Sequence, residues 1–170
     1  VWAVGAIHGE AERLQAVVLE LERRLVPGDK IVFLGNHLGY GPGIVQAQNE
    51  MLRLRRAVLA KPGMFTSDIA FLRGAQEEMW RRLLQLHIAP NPGEVLDWML
   101  GQGMAATLEA YGISPGEGKA ACHEGALTLA KWTTSIQTAM RTRPGHDQLH
   151  MVLRRAAHTS DGSLLFVAAG

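Results

Sequence analysis

Residues 30–42 read KIVFLGNHLGYGP. Lys30 heads an apolar run that ends at Gly35, a pattern typical of a short buried strand. The loop that follows is rich in glycine, which lets the backbone turn sharply and lets other groups approach it closely. In open α/β sheets, sites lie in loops beyond the carboxyl ends of the strands. The stretch therefore predicts a buried strand followed by a candidate site.

The segments around this stretch predict a βαβ unit. Residues 1–4 (VWAV) are apolar and predict a first strand. Residues 10–25 carry apolar side chains at helical spacing with charged residues between them, which predicts an amphipathic helix. A strand, a helix and a second strand joined by short turns favour parallel pairing. The same patterns predict a helix over 43–60, a third strand over 66–72 and a helix over 74–86.

The second half of the chain is mostly helical in pattern. We expect helices over 94–111 and 121–139, separated by the glycine-rich segment 112–118. A short helix and a hairpin around Ser160-Asp161-Gly162 are expected after Arg143. The sequence thus predicts an α/β fold, a βαβ sheet flanked by helices. Residues 1–86 form its βαβαβα core, residues 87–143 a helical insertion, and residues 144–170 a helix and hairpin that complete the core.

Composition excludes several classes of protein. The 170 residues include 17 Lys and Arg against 16 Asp and Glu, a net charge of +1, so no overall field favours nucleic acid or an anionic membrane. The single cysteine, Cys122, excludes an intrachain disulfide and favours a reducing, cytoplasmic location. No apolar run approaches the ~20 residues that a membrane span needs, so none is expected.

Four strand-end loops share a glycine framework: residues 5–9 (GAIHG), 34–42 (LGNHLGYGP), 72–77 (LRGAQE) and 166–170 (FVAAG). This framework resembles the calcineurin-like metallophosphoesterases, in particular the bacterial serine/threonine protein phosphatase and dinucleoside tetraphosphatase branch. That family reads G-D-x-H-G, F-L-G-D-x-x-D-R-G-P, L-R-G-N-H-E and F-V-H-A-G at these four places. The resemblance covers essentially the whole chain, in the same order and spacing. It implies a metallophosphoesterase-like sheet and, in the family, a pair of Mn, Fe or Zn ions.

The metal ligands that the resemblance implies are largely replaced. Ala6 stands where the family has an Asp ligand, and Asn36 where it has the carboxylate that bridges both metals. Ala75 stands for an Asn ligand and Ala168 for a His ligand. His8 is retained, so His8 and Asn36 are the residual, weak metal-ligand candidates.

The groups that act on the substrate are replaced as well. Gln76 stands where the resemblance places the His that protonates the leaving group. Gly39 and Tyr40 stand for a further Asp and for the phosphate-binding Arg. Family chains continue past the fourth motif to further histidine ligands, and this sequence stops first. We therefore expect a degenerate, C-terminally truncated relative with no catalytic residues.

Electrostatics argue against a hydrolytic metal pair in these loops. Unit charges ~4 Å apart repel by roughly 4 kcal/mol at an effective dielectric near 20, and two dications repel several-fold more. Carboxylates normally offset that repulsion in two-metal sites, and both motif carboxylates are absent here. We expect no cofactor, although His37 together with His8 and Asn36 could hold a single adventitious zinc ion.

The leading hypothesis is a catalytically inactive pseudophosphatase that acts as a structural or regulatory protein-binding subunit. One alternative is an active metal-dependent phosphoesterase, acting on phosphoproteins or dinucleotides through a rebuilt site. Another is a metal-free phosphate or nucleotide sensor. Two sets of residues are either ordinary surface and core or part of a partner surface. They are the arginines Arg53, Arg55, Arg56, Arg81 and Arg82, and the apolar residues Trp80, Trp98, Trp132, Met79, Met99 and Met140.

Overall fold

A parallel sheet of three short strands organises the first half of the chain. The computed structural model describes residues 1–168, so Ala169 and Gly170, the end of the fourth motif, lie outside the described residues. The strands are β1 (Trp2–Val4), β2 (Ile31–Phe33) and β3 (Ile69–Phe71), paired in parallel in the order β1-β2-β3. The predicted βαβ arrangement is confirmed. The third strand begins later than predicted because a 3-10 turn, Thr66–Asp68, occupies its expected start.

Helices α1 (Ala11–Arg24), α2 (Ile44–Leu59) and α3 (Ala75–Leu83) connect and follow these strands. The apolar sides of α1 and α2 pack against the sheet in one buried cluster. Its centre includes Phe33 and Phe71, whose stacked rings have centroids 4.9 Å apart. This burial fixes the strand ends and therefore the start of each loop.

The insertion has its own apolar core and differs from the predicted pair of helices. Its elements are α4 (Pro92–Met99), a π-helical turn (Leu100–Met104), α5 (Ala105–Ala110), α6 (Pro115–Glu124) and α7 (Ala126–Arg141). They pack with α3 and with Leu38 and Ile44 in a second buried cluster. The insertion thus contacts the loop after β2.

Two of the helix predictions were wrong for identifiable reasons. The single helix predicted over 94–111 is interrupted because Gly103 has a φ of 99°, a left-handed conformation that breaks the helix. The predicted linker 112–118 contains the start of α6, where the Ser114 hydroxyl accepts from the Glu117 N–H and Pro115 occupies the first turn. The helix predicted over 121–139 is divided at Gly125, whose φ is 108°.

The last described segment forms α8 (His146–Met151) and an antiparallel hairpin of β4 (Ala156–His158) and β5 (Leu165–Val167). The predicted short helix and hairpin are confirmed. Before the hairpin, Arg154 makes one parallel bridge to Leu72 at the end of β3. Within residues 1–168, none of the helices is long and apolar enough to cross a membrane.

Substitution of Gly118 tests the packing of α6 on α7. A Cβ at Gly118 would lie 2.4 Å from Cζ2 of the buried Trp132. We expect Gly118→Ala to lower the free energy of unfolding by about 1–3 kcal/mol, because the indole must move. Gly116→Ala in the same helix is the control, since its Cβ would meet only the Ser114 hydroxyl at 3.5 Å. Denaturant titrations showing equal effects at both positions would contradict this packing.

Candidate functional site

A buried carboxylate joins the second and third strand-end loops. Glu77 lies in the first turn of α3, and its two oxygens accept four backbone N–H groups. Oε2 accepts from Asn36 at 2.9 Å and from Gly74 at 2.8 Å. Oε1 accepts from His37 at 2.7 Å and from Leu38 at 3.1 Å. We call this arrangement the Glu77 clamp.

The clamp keeps its charge although Glu77 is only 2% exposed. Burial by itself raises the pKa of this carboxyl, but the neighbouring His37 and the backbone N–H donors outweigh it. The pKa of Glu77 therefore lies below its ordinary value. Three of the donors, the N–H groups of Asn36, His37 and Leu38, come from successive residues of one tight loop, so the backbone conformation of that loop depends on an anion at this position.

Close backbone approach completes the junction of these two loops. A Cβ at Gly35 would lie 2.6 Å from the Gly74 nitrogen, and a Cβ at Gly74 would lie 2.5 Å from Oδ1 of Asn36. Glycine is required at both positions, and Gly35 also has a φ of 96°. The glycine framework seen in the sequence therefore allows loop-to-loop packing.

Asn36 connects all three loops of the parallel sheet. Its backbone carbonyl accepts from Ile7 at 3.0 Å and from His8 at 2.9 Å, in the loop after β1. Its side-chain Oδ1 accepts from the Gln76 N–H at 3.1 Å, in the loop after β3. The structure thus brings the candidate positions of the first three motifs together at one edge of the sheet, with Asn36 at the centre.

The insertion covers this edge of the sheet directly. The Gln76 side chain is buried, and its Nε2 donates to the Gln102 carbonyl at 2.8 Å. The Gly39 N–H donates to the Thr107 hydroxyl at 3.1 Å. A Cβ at Gly39 would lie 2.5 Å from the Gln76 side-chain amide. Where the resemblance implies an acid and a carboxylate, this chain has an amide packed against a glycine.

Three non-glycine residues of these loops have left-handed backbones. They are His8, Asn36 and Tyr40, with φ values of 48°, 54° and 58°. Such conformations are uncommon for side-chain-bearing residues and cost of order 1 kcal/mol or more for a bulky one. The Tyr40 ring lies edge-on to His8, with centroids 5.4 Å apart, and is more than half exposed. The hydrogen bonds of the Asn36 backbone hold the strained conformations of His8 and Asn36 in place.

The two histidines of these loops serve the protein's own packing. The Nδ1 atom of His8 lies 3.2 Å from the Leu38 carbonyl, to which it donates. His37 is buried with its ring edge-on to those of Phe33 and Phe71, and its Nε2 atom lies 3.0 Å from the Leu72 carbonyl. Burial lowers the pKa of His37, although the attraction of the Glu77 carboxylate opposes that shift.

At the positions where the resemblance implies metal ligands, the residues present do not fit a metal pair. Ala6 and Ala75 are exposed and offer no donor atom, while the Asn36 side-chain oxygen is bonded to the protein. Ala168 follows β5, in the separate hairpin. Within residues 1–168, no group of three or more His, Cys, Asp or Glu side chains is placed to hold a metal ion.

Sequence reasoning missed the group on which these contacts depend. Glu77 belongs to the motif LRGAQE, and its place three residues after Gly74 is a signature of a helix start. That spacing predicts the bond to Gly74. It does not predict the three bonds to the loop after β2, because they join residues about 40 positions apart.

Comparison of the chain with protein-family models, curated proteins and solved structures finds no match. The resemblance to the metallophosphoesterases therefore stays a prediction that rests on the four motifs.

The Glu77 clamp can be tested against the adjacent acid on the same helix. We expect Glu77→Gln to lower the free energy of unfolding by about 2–4 kcal/mol, because the amide turns an N–H group toward buried donors. Glu78 is partly exposed and pairs with Arg73 at 2.8 Å and Arg81 at 3.5 Å. Glu78→Gln should therefore cost less than about 1 kcal/mol. Equal losses in urea titrations would show that Glu77 has no special role.

Proposed function

We propose that this protein is a catalytically inactive metallophosphoesterase-like protein, a pseudophosphatase, that acts by binding another protein. The observation that carries the proposal is the occupation of the strand-end site by the protein's own groups. Asn36 and Gln76 replace a bridging carboxylate and a general acid in the resemblance. The Asn36 Oδ1 atom accepts from the Gln76 N–H, and the Gln76 Nε2 atom donates to the Gln102 carbonyl. The edge of the sheet at which the resemblance would place the reactants is filled by contacts within the protein.

The chemistry of the donor set supports the same proposal. Two-metal hydrolysis needs carboxylates that clamp two dications and lower the pKa of a bound water. Glu77 is the carboxylate in these loops, and its oxygens already accept four N–H groups. Turning this carboxylate toward a metal would release all four donors, so it cannot substitute for the missing ligands without unfolding the loop.

Exposed apolar side chains support the partner-binding half of the proposal. A groove of about 490 Å³ lies between the 3-10 turn Leu86–Ile88 and α4. Ile88 is 73% exposed and Trp98 is 56% exposed beside it, whereas Trp80 and Trp132 are buried in the core. Trp is enriched in protein interfaces, and clustered exposed apolar groups mark interaction sites.

The test of this proposal compares metal binding with turnover. We expect calorimetric titration with Mn²⁺ to show no stoichiometric binding, and p-nitrophenyl phosphate to be hydrolysed no faster than in the buffer containing Mn²⁺ alone. The opposing hypothesis is an active phosphoesterase with a rebuilt site. In such a site the Nε2 atom of His8 would be available as a metal ligand, because its Nδ1 atom is bonded to the Leu38 carbonyl. Stoichiometric Mn²⁺ with turnover that His8→Ala abolishes would overturn the proposal.

A further inference from the structure

The outer edge of β3 lies in a groove of about 360 Å³ that the strand-end loops do not use. One wall is formed by Arg55 of α2 and by the 3-10 turn before β3, and the other by the segment that follows α8. The residues that line the groove include Arg55, Thr66, Ser67, Ile69, Phe71 and Arg154. We call it the β3 groove.

The backbone of β3 has hydrogen-bonding groups directed toward this groove. Leu72 donates to Phe33 of β2, so alternate residues of β3 direct their N–H and C=O groups to the opposite, outer side. On that side, the Phe71 carbonyl accepts from the Arg154 N–H at 2.8 Å. Among residues 1–168, no hydrogen bond engages the N–H of Phe71 or the carbonyl of Ile69 on this side. Unpaired edge groups of this kind favour pairing with another strand.

The charge of the β3 groove indicates which kind of strand it would bind. Arg55 and Arg154 line it, and its lining contains no acidic residue. Neither arginine is within ion-pair distance of a carboxylate in the described part of the chain. The hydroxyl groups of Thr66 and Ser67 add polar atoms to the same wall. Two cations without an internal partner complement carboxylates supplied from outside.

We propose that the β3 groove binds an acidic segment of a partner protein, which pairs as an extended strand with β3 while its carboxylates contact Arg55 and Arg154. Backbone pairing gives such contacts affinity, and alternate side chains give specificity. The inference rests on the partner-binding half of the proposed function and supplies the chemistry of the partner.

The test uses a fluorescein-labelled peptide of alternating valine and glutamate, about eight residues long, a usual strand length. Fluorescence anisotropy at low salt should show saturable binding to the wild-type protein. Arg55→Glu and Arg154→Glu should each weaken it about tenfold, because charge reversal at an interface replaces attraction by repulsion. Arg56→Glu is the matched control, since Arg56 is the next residue of α2, is exposed and does not line the groove.

Two altered peptides separate strand pairing from charge. A peptide with lysine in place of glutamate should not bind, and one with alternate N-methylated amides should bind at least tenfold more weakly, because it cannot pair along the edge. Hydrogen exchange at the Phe71 amide should slow when the unmodified peptide is added. Failure to bind, equal binding of the N-methylated peptide, or equal weakening by Arg56→Glu would each overturn the inference.

The outcome of the peptide-binding test is independent of the outcome of the Mn²⁺ and turnover test. If the peptide does not bind and the protein shows neither Mn²⁺ binding nor turnover, the inference about the β3 groove fails while the pseudophosphatase proposal keeps its support. If the protein shows metal-dependent turnover and still binds the peptide, the pseudophosphatase proposal is contradicted while the β3 groove remains supported as a docking site.

Discussion

The buried carboxylate of Glu77 is the interaction on which the strand-end region depends. It lies at the start of α3 and accepts N–H groups from its own helix and from three successive residues of the loop after β2. Without an anion there, those donors would point into the protein without partners, at a cost of about 1–3 kcal/mol each. The close packing of Gly35 on Gly74 then follows, because the carboxylate draws the two loops together.

This dependence explains why the glycine framework does not require metal ligands around it. The clamp holds the loops through backbone groups, so side chains such as Ala6 and Ala75 are free to vary without loss of the fold. Contacts from the insertion, between Gln76 and Gln102 and between Gly39 and Thr107, add to this packing. The strand-end loops of this protein are held together by contacts within the chain, and among the described residues backbone groups without a partner lie at the outer edge of β3.

Local patterns were sufficient to predict the strands, α1, α2 and the hairpin, because each depends on apolar periodicity or turn residues nearby in sequence. The helix break at Gly103 could not be predicted this way, since its left-handed backbone packs on Tyr40, some 60 positions earlier. Pro115 and Ser114 are a helix start that could have been found, but the surrounding glycines suggested a linker. Asn36 and Gln76 were singled out from the sequence, whereas their hydrogen bonds depend on tertiary contacts that no spacing rule predicts.

The most direct measurement of this account is amide hydrogen exchange followed residue by residue by NMR in the wild-type protein. If the Glu77 carboxylate holds the loops closed, the amides of His37, Leu38 and Gly74 will exchange as slowly as those of the paired strand β2, although they lie in loops. Exchange at the rate of an open loop, such as that around Gly28, would show that the carboxylate does not hold the site closed.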